Sequence, residues 1–529
     1  MSGSGAWGPL DRLVARAESL AGAWGARARA STSIGQERAI LRLFGVGGLD
    51  TSGRPLAGAT VDRWLSGDPR GLSTGIALPF AMALLEYDLE PQQLALDIAS
   101  GAVDLNFEVE LLRERDRRSV AEAEARRLAA AALERIDAER TARRETLGVL
   151  GDAPRPWLGT TLREPDLERA VDEAVALIDA GLDLIRIEVP IGRELAERLV
   201  RAGREAPEWR PRESPGRDRP EPAPTGSQRA LAILRTAVDE AAAERRAYVR
   251  LATIVPALGA PEGAVVAAFE RIDVIASNAM AEIVADAVEP DRALADHAFA
   301  HRLARRAGTA VLVGSGPLVV APDMASGVPS NPATRAGRAL ALQLLGVSLA
   351  RGDGLGPEQI IVGGLPPWLT DEPAPGARAI AEVSVRRALF PDHPIGFVEP
   401  DTDPERAGSW PWVQAAAAVH AGDIALILRM PRRRADDATT VAAARAAATV
   451  SSEVASATHP GELAGPALEH ARGMVAAALA TLDQLADQGW RAVAGDPLGG
   501  ARPSTRGGES VAERTDPFDP FDGMVEKRS

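Results

Sequence analysis

The stretch from Tyr248 to Asn278, YVRLATIVPALGAPEGAVVAAFERIDVIASN, constrains the fold more than any other part of the chain. Its first run, Tyr248 to Thr253, is rich in β-branched and apolar residues. A turn-forming segment follows, and a helix beginning near Pro261 carries Val265, Val266 and Phe269. A second apolar run, Ile272 to Ala276, closes the unit. Strand, amphipathic helix and strand in this order form the βαβ signature of a parallel sheet covered on both faces.

The same alternation begins at Trp157 and continues. Strands are predicted near Trp157 to Thr161, Leu182 to Val189, Tyr248 to Thr253, Ile272 to Ala276, Ala310 to Gly314, Gln359 to Val362, Ile395 to Val398 and Ile424 to Leu428. That number fits a (β/α)8 TIM-like barrel, an α/β fold whose reactive groups sit at the carboxyl ends of its strands. An open doubly wound sheet also alternates strands and helices, but this chain lacks the early glycine fingerprint of that class. The loop after Tyr248 to Thr253 is therefore an expected wall of the site.

Around the barrel we expect an N-terminal helical region over residues 1–150, the barrel over 151–460, and a carboxyl-terminal helix plus extended tail over 461–529. An apolar series at Leu13, Val14, Ala17 and Leu20 marks the first helix, and Ser33 with Gln36 stands at capping-box spacing for a helix ending at Gly45. Helices follow around 74–88 and 91–101. Residues 111–146 form a long charged helix with a narrow apolar stripe, the pattern of a solvated or partner-facing element. Residues 203–227, rich in proline and mixed charge, read as a flexible insertion or a lid. A helix from Glu462 to Asp487 precedes a tail ending DPFDPFDGMVEKRS, which either docks on the barrel or a partner or frays.

Charge and composition exclude several chemistries. A net charge of -14 argues against a nucleic-acid or anionic-membrane surface. No cysteine is present, so disulfides, thiolate nucleophiles and cysteine-ligated metals are excluded. The start MSGSGAWGPLDRL has no basic, apolar leader, and the longest apolar run, Gly75 to Leu85, is too short to span a bilayer, so a cytoplasmic location is expected. Lys527 is the only lysine and lies near the carboxyl terminus, so covalent lysine chemistry is not expected from this chain alone.

His297 and His301 have the i, i+4 spacing at which two imidazoles share a metal, but DHAFAHR lacks the intervening glutamate of a zincin, and no metal site is expected. Gly314 and Gly316 in VLVGSGPL, and RGDGLG at 351–356, read as turns. Arg186 lies near the carboxyl end of the strand LDLIRIEV, with Glu188 on the same face. An inward Arg186 binds phosphate or carboxylate; alternatively Arg186 and Glu188 pair with each other or with neighbouring charges. Strand parity alone does not say which face points inward.

Four stretches, ERAILRLFGVGGLDTSGRPLAGATVD (37–62), AYVRLATIVPALGAPEGAVVAAFERIDVIASNAM, ALFPDHPIGFVEP (388–400) and LGGARPSTRGGESVAERTDPFDPF (498–521), together resemble the large, barrel-bearing subunit of the D-lysine 5,6-aminomutase and D-ornithine 4,5-aminomutase family. The resemblance runs in order over nearly the whole chain. It implies a radical 1,2-amino shift using adenosylcobalamin and pyridoxal phosphate on a basic amino acid such as D-lysine or D-ornithine. It also implies a small Rossmann-type partner that binds cobalamin and carries the Schiff-base lysine, in a hetero-oligomer. Arg186 falls where the family has an arginine after its second barrel strand, but the Gly-Gln-Ser that follows is replaced by Val189, Pro190 and Ile191. A family serine falls at Pro256, a ring-stacking tyrosine at Ala281, an arginine at Asp286 and an acidic residue at Leu318.

Two readings follow. One is the large subunit of such an aminomutase-like complex. The other is a catalytically diverged paralogue acting as a barrel scaffold or binding subunit without pyridoxal phosphate.

Overall fold

A computed structural model describes residues 7–50, 54–67, 71–153, 155, 157–162, 164, 166–187, 228–255, 257–277, 279–285, 288–314, 331–364, 375–398, 424–427, 463, 465–492 and 510–521. Eight parallel strands close into a barrel: β2 (Trp157–Leu162), β3 (Leu184–Ile187), β4 (Arg250–Val255), β5 (Val274–Ser277), β6 (Ala310–Val313), β7 (Ile360–Gly364), β8 (Ile395–Val398) and β9 (Ile424–Ile427). Their order in the barrel follows their order in sequence, and β9 returns to pair with β2. All eight predicted strands are present. The strands of the Tyr248 to Asn278 unit each begin two residues later than predicted, and the Tyr248 and Asp273 side chains meet beneath the barrel.

The strands bury both faces for different reasons. Leu158, Leu162, Ile185, Ile187, Leu251 and Val255 face the surrounding helices and belong to the main core. Leu184, Ala252, Val274, Ala276, Leu312 and Ile361 form a second cluster, the filling of the barrel. Gly159 makes room for it: a Cβ there would lie 2.9 Å from the Leu184 side chain and 2.9 Å from its carbonyl oxygen. The interior is thus a packed apolar plug rather than a channel.

The helical N-terminal residues comprise α1 (Leu10–Ala30), a short strand β1 (Ser31–Ser33), α2 (Ile34–Leu43), α3 (Leu56–Gly67), α4 (Gly71–Thr74), α5 (Ala77–Tyr87), α6 (Pro91–Ser100), α7 (Leu105–Leu111) and α8 (Arg115–Leu150). Ser33 caps α2 by accepting from the Gln36 N–H. Gln36 does not complete a reciprocal box. Its carboxamide donates instead to the carbonyl of Ala295 at 2.7 Å, so the position serves docking onto the barrel. The barrel helices are α9 (Leu167–Asp179), α10 (Gln228–Arg245), α11 (Ala260–Phe269), α12 (Ala279–Ala285), α13 (Pro290–Ala307), α14 (Pro332–Gly352) and α15 (Pro375–Leu389); α16 (Gly465–Gln488) packs along α14. Close approach of those two requires small residues, since a Cβ on Gly337 would lie 2.5 Å from the Met474 carbonyl oxygen.

The long helix α8 is charge-laced, as predicted, yet its buried stripe of Ala121, Ala125, Leu128, Ala132 and Ile136 ends in a buried Arg143. Arg143 donates to the carbonyls of Ala307 (2.6 Å) and Ile272 (2.9 Å), pinning α8 beneath the barrel. The tail does not fray over its described part. Its strand β10 (Val511–Glu513) pairs antiparallel with β1, and Phe521 is fully buried against Phe44. Residues 203–227 lie outside the described residues. Among the described residues no helix is long and apolar enough to cross a membrane.

Candidate functional site at the barrel mouth

The two ends of the barrel differ in kind. At the amino end, Asp183 and Asp273 stand just before β3 and β5 and accept from the N–H groups of Leu158 and Leu251, each at 2.9 Å. Asp273 also accepts from the Tyr248 hydroxyl at 2.7 Å and faces Arg143 and Arg235 at 3.1 and 3.3 Å. Burial, reinforced by Asp273, pushes the Tyr248 hydroxyl well above its ordinary pKa, so it stays a donor. Arg250 points into the barrel floor, stacks 3.5 Å above the Trp157 ring and pairs with Asp152 at 2.7 Å. Every charge in this set is answered by an opposite charge or a backbone group, which is the signature of structure rather than reactivity.

At the carboxyl end the described residues are chiefly the strand ends themselves. Register settles the orientation of Arg186: Leu184 belongs to the barrel filling, and a residue two places on shares its face. Arg186 therefore points inward, one layer above Leu184, and is 7% exposed. It lies across from Thr161 of β2 and Ala252 of β4. Thr161 also faces inward, because its neighbours Thr160 and Leu162 alternate to the helix side, where Leu162 joins the main core. Among the described residues, the guanidinium of Arg186 and the hydroxyl of Thr161 thus stand side by side above an apolar floor of Leu184, Ala252, Val274 and Leu312. A guanidinium in that position offers a planar pair of donors to a phosphate or carboxylate.

Glu188, Pro256, Asp286 and Leu318 lie outside the described residues, as does Lys527. Ala281 falls on α12, with its side chain outside them. The histidine pair is placed away from the mouth within α13. His297 donates through Nδ1 to the Ala293 carbonyl at 2.8 Å, and burial followed by the neighbouring His301 pushes its pKa down to about 3. His301 meets Asp353 through Nδ1 at 2.9 Å, and Asp353 also holds Arg29 at 3.0 Å. These contacts join α1, α13 and the end of α14. Among the described residues no group of three His, Asp or Glu side chains could hold a metal ion. RGDGLG at 351–356 is a turn, with Gly354 in the left-handed region at φ +92°.

Sequence reasoning missed Thr161, whose partnership with Arg186 depends on strand register. It also missed Gln343 on α14, whose carboxamide reaches the carboxyl ends of two barrel strands. The only signal was a lone polar residue in the apolar run ALALQLLGV.

Comparison with known proteins places the barrel in context. Residues 10–403 match the family described as the D-lysine 5,6-aminomutase TIM-barrel domain of alpha subunit. The chain is 25% identical over 407 residues to the lysine 5,6-aminomutase alpha subunit of Fusobacterium nucleatum, covering 74% of this chain and 71% of that protein. It is 26% identical over 369 residues to the same subunit of Acetoanaerobium sticklandii, covering 70% of this chain and 66% of that one, just under two thirds. Among solved structures, dihydropteroate synthase of Yersinia pestis is similar at a TM-score of 0.32 and 14% identity, over 57% of this chain and 94% of that one. So slight a likeness adds nothing to the fold already described.

Proposed function

The chain belongs to the family of D-lysine 5,6-aminomutase alpha-subunit TIM-barrel proteins, and we propose that it is the large subunit of an adenosylcobalamin- and pyridoxal-phosphate-dependent aminomutase-like complex. Its reaction would be a radical 1,2-amino shift on a basic amino acid such as D-lysine or D-ornithine. Residues 1–150, 151–460 and 461–529 would be its helical region, barrel and carboxyl-terminal element. A small Rossmann-type subunit would bring the cobalamin and the Schiff-base lysine, since Lys527 is the only lysine here.

The observation that carries this reading is the inward Arg186 beside Thr161 at the carboxyl end of the barrel. A planar cation and a hydroxyl on adjacent strands fit an anionic group such as the phosphate of pyridoxal phosphate or a substrate carboxylate. When bound, pyridoxal phosphate supplies an electron sink for the migrating amino group, and adenosylcobalamin supplies the radical. The chain's own part is to bind and to exclude water. Arg186 would fix the anion's position through its fork of donors, and Thr161 would add a hydroxyl contact. Below them, the apolar filling of Leu184, Ala252, Val274 and Leu312 keeps water from entering through the barrel, which protects a reactive species from side reactions.

Co-expression with a small cobalamin-binding chain that carries an amino-terminal lysine tests this directly. The expected result is a stable complex showing the visible absorbance of bound pyridoxal phosphate. A complex that forms without that absorbance would instead support the diverged scaffold, a reading favoured by Pro256, Ala281, Asp286 and Leu318 in the family's cofactor-holding positions.

A further inference from the structure

The β6–β7 ladder runs out at the mouth. Its register pairs Val311 with Ile360, Leu312 with Ile361 and Val313 with Val362, and beyond this β7 continues alone toward β8. At that point the carboxamide of Gln343, on α14, reaches between the two strands. Its Nε2 donates both to the carbonyl of Val313, at 3.1 Å, and to the carbonyl of Gly363. A side chain thus stands in for the missing rung and fixes how far apart the fifth and sixth barrel strands end. The backbone turns away immediately afterwards. Gly314 has φ +78°, and a Cβ there would lie 2.9 Å from Nε2 of Gln343.

The carboxamide is itself held from behind. Arg386 on α15 donates from Nε to Oε1 of Gln343 at 2.9 Å, which leaves one orientation for the amide. The same guanidinium donates from Nη1 to the side chain of Glu382 at 3.1 Å and to its carbonyl at 3.2 Å. The other oxygen of Glu382 lies 3.4 Å from Nε2 of His470 on α16. Gln343, Arg386, Glu382 and His470 are 2%, 1%, 6% and 8% exposed, so the chain of contacts is dry along its length. A core helix of this apolar character could be closed by leucines. An uninterrupted polar path that ends on two strand carbonyls at the mouth is a costly alternative unless it sets a geometry.

We propose that Gln343 is a positioning residue for the barrel mouth, and that Arg386, Glu382 and His470 tie the carboxyl ends of the fifth and sixth strands to the carboxyl-terminal helix. This rests on the reading above only in taking the mouth as an anion site.

The test compares the full chain with Gln343→Leu, which removes the polar contacts at similar volume, and Gln343→Glu, which presents a carboxylate to two carbonyls. Binding of pyridoxal phosphate and of inorganic phosphate is titrated alongside thermal unfolding and hydrogen exchange at the ends of β6 and β7. Both variants are expected to weaken the probe at least tenfold and to speed exchange around Val313 and Gly364, with β2 and β3 unaffected. The Gln343→Glu variant should also recover affinity as the pH is lowered, because the neutral acid regains one donor; wild type and Gln343→Leu should not. Unaltered exchange at both strand ends overturns the inference whatever the ligand does. Faster exchange with affinity within twofold of wild type reduces Gln343 to a purely structural role and likewise overturns it. A wild-type chain that binds neither probe, together with faster exchange in the variants, refutes the anion site and leaves the strand tie standing.

Discussion

Arg118 on the long helix α8 donates two hydrogen bonds, of 2.8 and 2.7 Å, to Asp516 in the carboxyl-terminal tail, joining residues 398 positions apart. Against the cost of partial burial, this pairing and the Phe518 N–H hold the Asp516 carboxyl below the usual carboxylate range. A carboxyl whose pKa is lower folded than unfolded adds stability above its unfolded value, and that contribution is lost as the pH falls toward the folded one. Asp516→Asn should therefore cost about 1 kcal/mol at neutral pH, with Arg118 partly exposed and screened. In urea unfolding the difference from wild type should shrink progressively as the pH falls below the unfolded aspartate value near 4.

Phe521 makes the larger contribution to the same attachment. Its ring is fully buried and meets Phe44 at 6.1 Å, while the neighbouring Phe518 lies 5.0 Å from the Arg126 guanidinium. Phe521→Ala should destabilise by about 3–5 kcal/mol. Limited proteolysis should then cut near β10, because among the described residues that strand's only sheet partner is the three-residue β1.

A pH effect of opposite sign is expected at Asp296 on α13. Burial drives its pKa up to about 7, against the pull of Arg292 and the Ser33 hydroxyl, with Glu262 of α11 adding to the rise. Arg38 of α2 and Arg292 face each other in the same cluster. A raised folded pKa means stability that is full below the unfolded value near 4 and lost as the pH rises through about 7. Wild type should lose on the order of 1 kcal/mol or more between pH 5 and 8. Asp296→Asn should flatten that slope; an unchanged slope would assign it to other groups.

These contacts show which parts of the molecule sequence could reveal. The eight strands are legible because each is a short run with β-branched residues and, from β2 to β8, a helix separates each strand from the next, a periodicity that needs no knowledge of partners. The inward face of Arg186 is not, because strands of a parallel barrel are apolar on both faces, and only the cluster around Leu184 separates inside from outside. Arg118 with Asp516, and Gln36 with Ala295, are pairings at long sequence separation that follow from docking of whole elements. Gln343 is the hardest case, since its role depends on where two strands stop pairing.

Tyr248 tests the assignment of the amino end as structural. Tyr248→Phe removes the hydroxyl donated to Asp273 and leaves a buried carboxylate still held by Arg143, Arg235 and the Leu251 N–H. The cost should be about 1–2 kcal/mol of stability. Phosphate or pyridoxal phosphate affinity should remain within twofold of wild type. A large loss of affinity would show that the two ends of the barrel are coupled.

Arg186 is the decisive position for the mouth. Arg186→Ala should weaken pyridoxal phosphate or inorganic phosphate by roughly tenfold to a hundredfold, the equivalent of one charge-assisted contact. Arg186→Lys separates charge from shape: it keeps the cation but replaces the planar fork with a point charge, so it should recover only part of the affinity. Both variants should retain cooperative unfolding, because the filling below, from Leu184 to Ile361, remains intact. Full recovery by lysine would mean that the site needs only positive charge and would weaken the argument for a geometrically fixed phosphate or carboxylate. Unchanged affinity in Arg186→Ala would move the anion site elsewhere, and with it the case for the barrel mouth as the place where this subunit binds its cofactor or substrate.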